Sequence, residues 1–226
     1  MTDGPQPLDQ GSFGRLRRDA GTTWESYVAH DFVRALGAGT LPEAAFRHFL
    51  VQDYLFLIHF ARAHALAGFK AARLADIRAA VAAVSAVVDV EMPLHVSYCA
   101  GWGLNEAEMA GAPEAVETVA YTRFVLERGL AGDLLDLQVA LAPCLVGYGE
   151  SGERLLADPA TRRDGNPYAA WIDAYRGRAN IRAVKCKVKA SGLKRLGIRA
   201  GPGRHRGRAR PGTGGWSCPG GRARTG

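Results

Sequence analysis

The chain has 226 residues, 47% of them hydrophobic, enough for a sizeable core in one large domain or in one domain with a tail. Its formal net charge of +7 averages two unlike pieces: residues 176–226 hold 15 of the 29 Lys and Arg and no Asp or Glu, which leaves residues 1–175 at −8. There is no uninterrupted apolar run of about 18 residues, no apolar leader and no paired cysteine motif among Cys99, Cys144, Cys186 and Cys218; this argues against a membrane span, a signal peptide, a zinc framework or a disulfide scaffold, and makes a reducing cytoplasm the expected location.

In chain order, residues 1–21 read as a polar, Gly- and Pro-bearing lead-in. Trp24, Tyr27, Val28, Phe32, Val33 and Leu36 then recur at helical spacing from Thr22 to about Ala38, and Gly37 and Gly39 end that helix. Thr40-Leu41-Pro42-Glu43 has the form of a capping box that opens a helix running to about Gly68. A further apolar helix spans Ala71 to about Cys99, with Pro93 expected to bend it. Asn105 with Glu108 caps a short helix, Glu114–Leu130 reads as another, and Asp133 caps one from Leu134 to about Val146. Helical patterns come again at Glu153–Leu156 and after Asn166-Pro167. No alternating segment of strand length appears, so the expected class is all-α, a helical bundle.

The segment Gln52–Arg62 sets one carboxylate among aromatic residues. At helical spacing Asp53, Phe56, Leu57 and Phe60 share one face, and a buried Asp53 needs a donor. Such a face suits a flat, partly apolar ligand with a polar edge, or equally a core helix whose Asp bonds a neighbour. Cys144 comes after Pro143 inside the most apolar helix, where the missing N–H should bend the backbone; it reads as a small core residue or as a nucleophile whose base comes from elsewhere in the fold. Tyr121, Tyr148 and Tyr168 lie on or beside apolar faces, as core caps or ligand contacts. Glu91 and His95 stand one turn apart, a spacing that fits a local hydrogen bond or half of a metal site. No phosphate loop, G-x-S-x-G elbow or H-E-x-x-H is present.

Taken together, Gly39-Thr40-Leu41-Pro42 with Phe46, Gln52-Asp53-Tyr54-Leu55-Phe56-Leu57, Glu91 with His95, Ala120-Tyr121-Thr122, Leu141-Ala142-Pro143-Cys144 with Tyr148, and Pro167–Tyr175 resemble, in that order, the TenA-type thiaminase II family of aminopyrimidine aminohydrolases. The resemblance implies a haem-oxygenase-like all-α fold, no cofactor or metal, a homotetramer and a role in thiamin salvage. It implies Cys144 as nucleophile on a pyrimidine ring and Asp53 as acceptor for the ring's amino and nitrogen edge. Tyr121 would hold the cysteine and substrate, with Phe56, Tyr148 and Tyr168 as further pocket positions.

Two departures stand out. Phe56 occupies a position that is often tyrosine in the family. The two C-terminal helices, the last with a catalytic glutamate, have no counterpart in residues 176–226, which lack glutamate altogether. The expected organisation is therefore a lead-in (1–21), a helical domain (22–175) missing its last two helices, and a basic Gly/Arg/Pro-rich tail (176–226). That tail has the composition of a GC-rich gene read out of frame; the alternative is a polyanion-binding tail, for which it lacks interleaved aromatics. Impaired hydrolysis is the expected activity, with a non-catalytic pyrimidine-binding protein or a metal-dependent oxidase as alternatives.

Overall fold

Helices make up every regular element among residues 11–176, the residues that the computed structural model describes. The expected tail at 176–226 lies outside them but for its first residue. Helix α1 (Gly11–Val28) begins well inside the stretch read as a lead-in, and it is two pieces joined at Gly21, whose positive φ of 49° suits a residue without a Cβ. Few apolar residues mark its first half. What holds it is a tertiary contact: Arg17 grips Glu150 through two nitrogens at 2.6 and 3.0 Å, and Trp24 Nε1 donates to Glu150 at 2.9 Å. Phe13 packs edge-on against Trp24.

The helix expected over 22–38 is broken at Ala29-His30. Helix α2 (Asp31–Ala38) is capped by the His30 ring, which accepts from Phe32 N, and it ends on Gly39 at φ 71°. Asn166 donates to the carbonyls of Leu36 and Gly37, satisfying acceptors at that terminus and tying a distant loop to it. The capping box expected at Thr40 does not form. Thr40 N and Leu41 N return to the Ala35 carbonyl, so Thr40 finishes α2, and Pro42 becomes the uncapped entry to α3 (Glu43–Lys70).

Helix α4 (Leu74–Ser85) passes through a π-helical turn (Ala86–Glu91) into α5 (Met92–Ala100). Pro93 sits in the first turn of α5, where its missing N–H costs least, so the chain changes helix type rather than stopping. The run Leu74–Ala100 is long and apolar enough by length and composition to cross a membrane. A search for uninterrupted apolar runs misses it because charged residues punctuate it. Helix α6 (Glu106–Ala110) carries the expected Asn105/Glu108 capping box, and α7 spans Val116–Ala131. Helix α8 (Leu134–Ala157), capped by Asp133 with Asp136, continues past Pro143 and absorbs the separate helix expected near Glu153. Helix α9 spans Ala169–Arg176.

The long α3 is the shared partner, packing on α4, α5, α6, α7 and α8. Its first half, with Phe46, Leu50 and Tyr54, meets Tyr168, Trp171 and Ile172. Its second half, with Leu57, Phe60 and Ala63, meets Val87, Val125, Leu137 and Leu141.

Burial of Glu150 opposes its charge, yet hydrogen bonds from Arg17, Trp24 and Arg154 outweigh that and hold the carboxyl below its ordinary value. Glu150→Gln is expected to lower the unfolding free energy by about 3 kcal/mol in urea titrations at neutral pH. Because this carboxyl is depressed in the folded state, the difference from wild type should close as pH falls below 4.5 and through the lower folded value.

Candidate active site

Asp53 is 7% exposed, so its carboxylate must be satisfied within the protein. From α3 it meets two other helices: Oδ2 lies 2.7 Å from His95 Nε2 on α5, and Oδ1 accepts from the Tyr148 hydroxyl on α8 at 3.2 Å. His95 Nδ1 is 2.8 Å from the Glu91 main-chain oxygen. A carbonyl only accepts, so Nδ1 carries a proton and Nε2 faces the carboxylate. Burial works against the imidazolium, but the Asp53 hydrogen bond and charge outweigh it and raise the His95 pKa above its ordinary value. The local partner of His95 is thus the Glu91 carbonyl rather than its carboxylate, and both ring nitrogens are engaged. Among the described residues no three His, Cys, Asp or Glu side chains gather as a metal site would require.

The Cys144 turn of α8 is gripped from two sides. The Tyr121 hydroxyl on α7 donates to Ala140 O at 3.0 Å, and the Tyr27 hydroxyl on α1 donates to Pro143 O at 3.3 Å. Cys144 packs in the same apolar cluster as Phe56 and Tyr121, and Phe56 stacks between Phe60 and Tyr121 at 5.3 and 5.9 Å. Burial pushes the Cys144 thiol well up, and the charges of Asp53 and Glu91 push it further. Burial likewise raises Tyr27 and Tyr121, with Cys144 as the next contributor to both. Asp53, Glu91, Tyr27, Tyr121 and Cys144 therefore share one electrostatic neighbourhood.

Beside it lies a cavity of about 740 Å³, mainly apolar, whose wall includes Tyr27, Gln52, Tyr148 and Trp171. Of the six residues singled out from the sequence, Tyr148 lines this cavity; it also holds Asp53, while Phe56, Tyr121 and Cys144 pack together in the neighbouring apolar cluster and not on the cavity wall. Tyr168 does not line this cavity: it is 4% exposed, its hydroxyl donates to Leu41 O at 2.6 Å, and its ring packs on Phe46. It takes the core-capping role left open for it. Sequence reasoning gave Tyr27 no part in the site, since a tyrosine on an amphipathic helix carries no mark of its partner. Glu91 and His95 were visible by spacing, but their link to Asp53 was not.

Residues 17–186 match the model of the TENA/THI-4/PQQC family. The chain belongs to that family. It is 39% identical over 161 residues to an uncharacterized protein of Haemophilus influenzae, covering 71% of this chain and 74% of that one. It is 36% identical over 160 residues to an aminopyrimidine aminohydrolase of Halalkalibacterium halodurans, covering 71% of each. In structure it is similar to a TenA family transcription regulator from Silicibacter, with a TM-score of 0.77, 46% identity and 83% of each chain covered. The fold is the all-α, haem-oxygenase-like one of the TenA proteins. The family match runs beyond the motif-bearing stretch at both ends, reaching Arg17 and passing Tyr175.

Two measurements test these geometries. Since the His95 pKa is raised on folding, its contribution is complete below the unfolded value of about 6.5 and is lost as pH rises through the folded one. The melting-temperature gap between wild type and His95→Asn should accordingly narrow as pH is raised from 6 towards 9. Alkylation of Cys144 by iodoacetamide, monitored site by site by mass spectrometry, should be slow at neutral pH and still climbing above pH 9, because the thiol stays protonated there.

Proposed function

We propose that this TenA protein hydrolyses an aminopyrimidine, either 4-amino-5-aminomethyl-2-methylpyrimidine or a thiamin-like compound, through Cys144. The reading rests on one juxtaposition: the Cys144 turn, held by Tyr121, lies in the field of the Asp53 carboxylate in a chain similar to an aminopyrimidine aminohydrolase. Each Asp53 oxygen has two lone pairs, so one hydrogen bond apiece to His95 and Tyr148 leaves capacity for a ring amino group. Phe56 and Tyr121 offer aromatic faces for the ring. Phe56 has no hydroxyl to offer.

In this reading the sulfur adds to a ring carbon as its proton leaves to a neighbouring carboxylate. The ring electrons then expel the protonated amine from the exocyclic carbon. Water adds there, and departure of the sulfur restores aromaticity; the net change replaces an amine by a hydroxyl and releases ammonia. Covalent addition divides one hard displacement into easier steps. The thiol, neutral at rest, must be deprotonated on binding, and a cationic, ring-protonated pyrimidine would favour the thiolate.

No Asp or Glu is present beyond Asp173, so acid–base work falls to Glu91, Asp53 and His95, and slow turnover is part of the proposal. The same absence and the raised thiol favour a second reading, pyrimidine binding without hydrolysis. A non-native origin of the part of the 176–226 tail that lies past the family match, which ends at residue 186, belongs to the proposal as well, as does a cytoplasmic homotetramer. Exposed Leu74, Val81, Val88 and Val90 supply an apolar surface for self-association.

Ammonia release from 4-amino-5-aminomethyl-2-methylpyrimidine by the full chain is expected to be measurable but slow, and Cys144→Ser should reduce it to background while retaining binding. An undiminished rate in Cys144→Ser would remove the nucleophile. Tight binding with no ammonia from wild type would favour the second reading.

A further inference from the structure

Tyr27 is the one aromatic residue that α1 brings both to the cavity wall and to the Cys144 turn. It is 39% exposed and lines the cavity with Tyr148. Its ring lies against Gly147, where an added Cβ would fall 2.2 Å from Tyr27 Cε1, so α8 accepts the ring only because position 147 has no side chain. From the other side Trp24 meets it edge-on at 5.8 Å, and Trp24 is itself held by Glu150. The ring is thus fixed between two helices, one turn from Cys144.

Three tyrosine hydroxyls bond to the Cys144 turn or to Asp53, and they are not equally committed. Tyr148 serves a buried carboxylate, whose loss of a donor would be expensive. Tyr121 is held at 3.0 Å on the Ala140 carbonyl. Tyr27 makes the longest contact, 3.3 Å, to a neutral main-chain carbonyl inside a helix. Exchanging that bond for one to a ligand costs least, since a helical carbonyl keeps its ladder partner. The other hydroxyls on the cavity wall, Thr118 and Ser151, are held by Gln52 and by Val28 O, so a ligand's second polar edge there meets the Tyr27 hydroxyl.

We propose that Tyr27 positions the pyrimidine, its hydroxyl turning from Pro143 O to a polar atom of the ring. The proposal rests on the aminopyrimidine reading of the site and names the residue that orients the ring beside Cys144. Two variants separate hydroxyl from ring: Tyr27→Phe removes only the oxygen, while Gly147→Ala keeps the oxygen and displaces the ring.

The probe is the hydrolysis product, 4-amino-5-hydroxymethyl-2-methylpyrimidine, titrated calorimetrically into the full chain, with melting temperature recorded for each variant. Tyr27→Phe is expected to melt within a few degrees of wild type and to bind about tenfold more weakly, the loss of one hydrogen bond. With the aminomethyl substrate its KM should rise by a similar factor while kcat changes less than twofold. Gly147→Ala should weaken binding at least as much. Equal affinity in wild type and both variants overturns the role of Tyr27 and leaves the functional reading standing. A folded wild-type chain that binds no pyrimidine overturns both.

Discussion

A carboxylate buried well inside the longest of the described helices must find its donors within the protein, and at Asp53 that requirement draws three helices together. The donors come from His95 and Tyr148, 42 and 95 positions away in the chain. An unpaired buried carboxylate would cost several kcal/mol, comparable with a domain's whole stability, so α5 and α8 have little freedom in where they meet α3. The candidate site is a consequence. Once Tyr148 is docked on Asp53, the preceding turn of α8 brings Cys144 beside Tyr121 and Phe56.

The backbone of the site departs from regular helix at the points where those side chains must be aimed. The π-helical turn ends at Glu91, whose carbonyl receives the His95 ring, and Pro93 lies between them. Turns of this kind alter the angular register of the next helical turn and recur at functional positions. On α8, Pro143 removes one main-chain donor and Gly147 removes one side chain, and Tyr27 occupies the space the glycine leaves. Glu150, one turn further on, holds Trp24 and Arg17, so α1 is anchored next to the place where Tyr27 enters the site.

Local periodicity and capping chemistry are the parts of this fold that its sequence displays openly. Asp53, Phe56 and Phe60 fell on one face by counting, and the caps at Asn105 and Asp133 formed as their spacing requires. Thr40 shows the limit of that reasoning, because the same residue could start α3 or finish α2, and a pair of hydrogen bonds to Ala35 decided it. The first half of α1 was illegible for a different reason: its stability lies in Glu150, more than a hundred residues distant, and not in its own apolar pattern. Tyr168 carried the same motif-level signal as Tyr148, yet one hydroxyl reaches a core carbonyl and the other the carboxylate. Position within a motif does not fix the direction of a side chain.

The central claim, that the His95–Asp53 contact sets the site, is tested most directly by nitrogen NMR of the His95 imidazole across a pH titration. The expected result is a proton on Nδ1 at every pH and a titration midpoint above 6.5, held up by the facing carboxylate. A midpoint below 6.5, or an unprotonated Nδ1 in the neutral ring, would show that burial has won and that Asp53 does not hold the site together in this way.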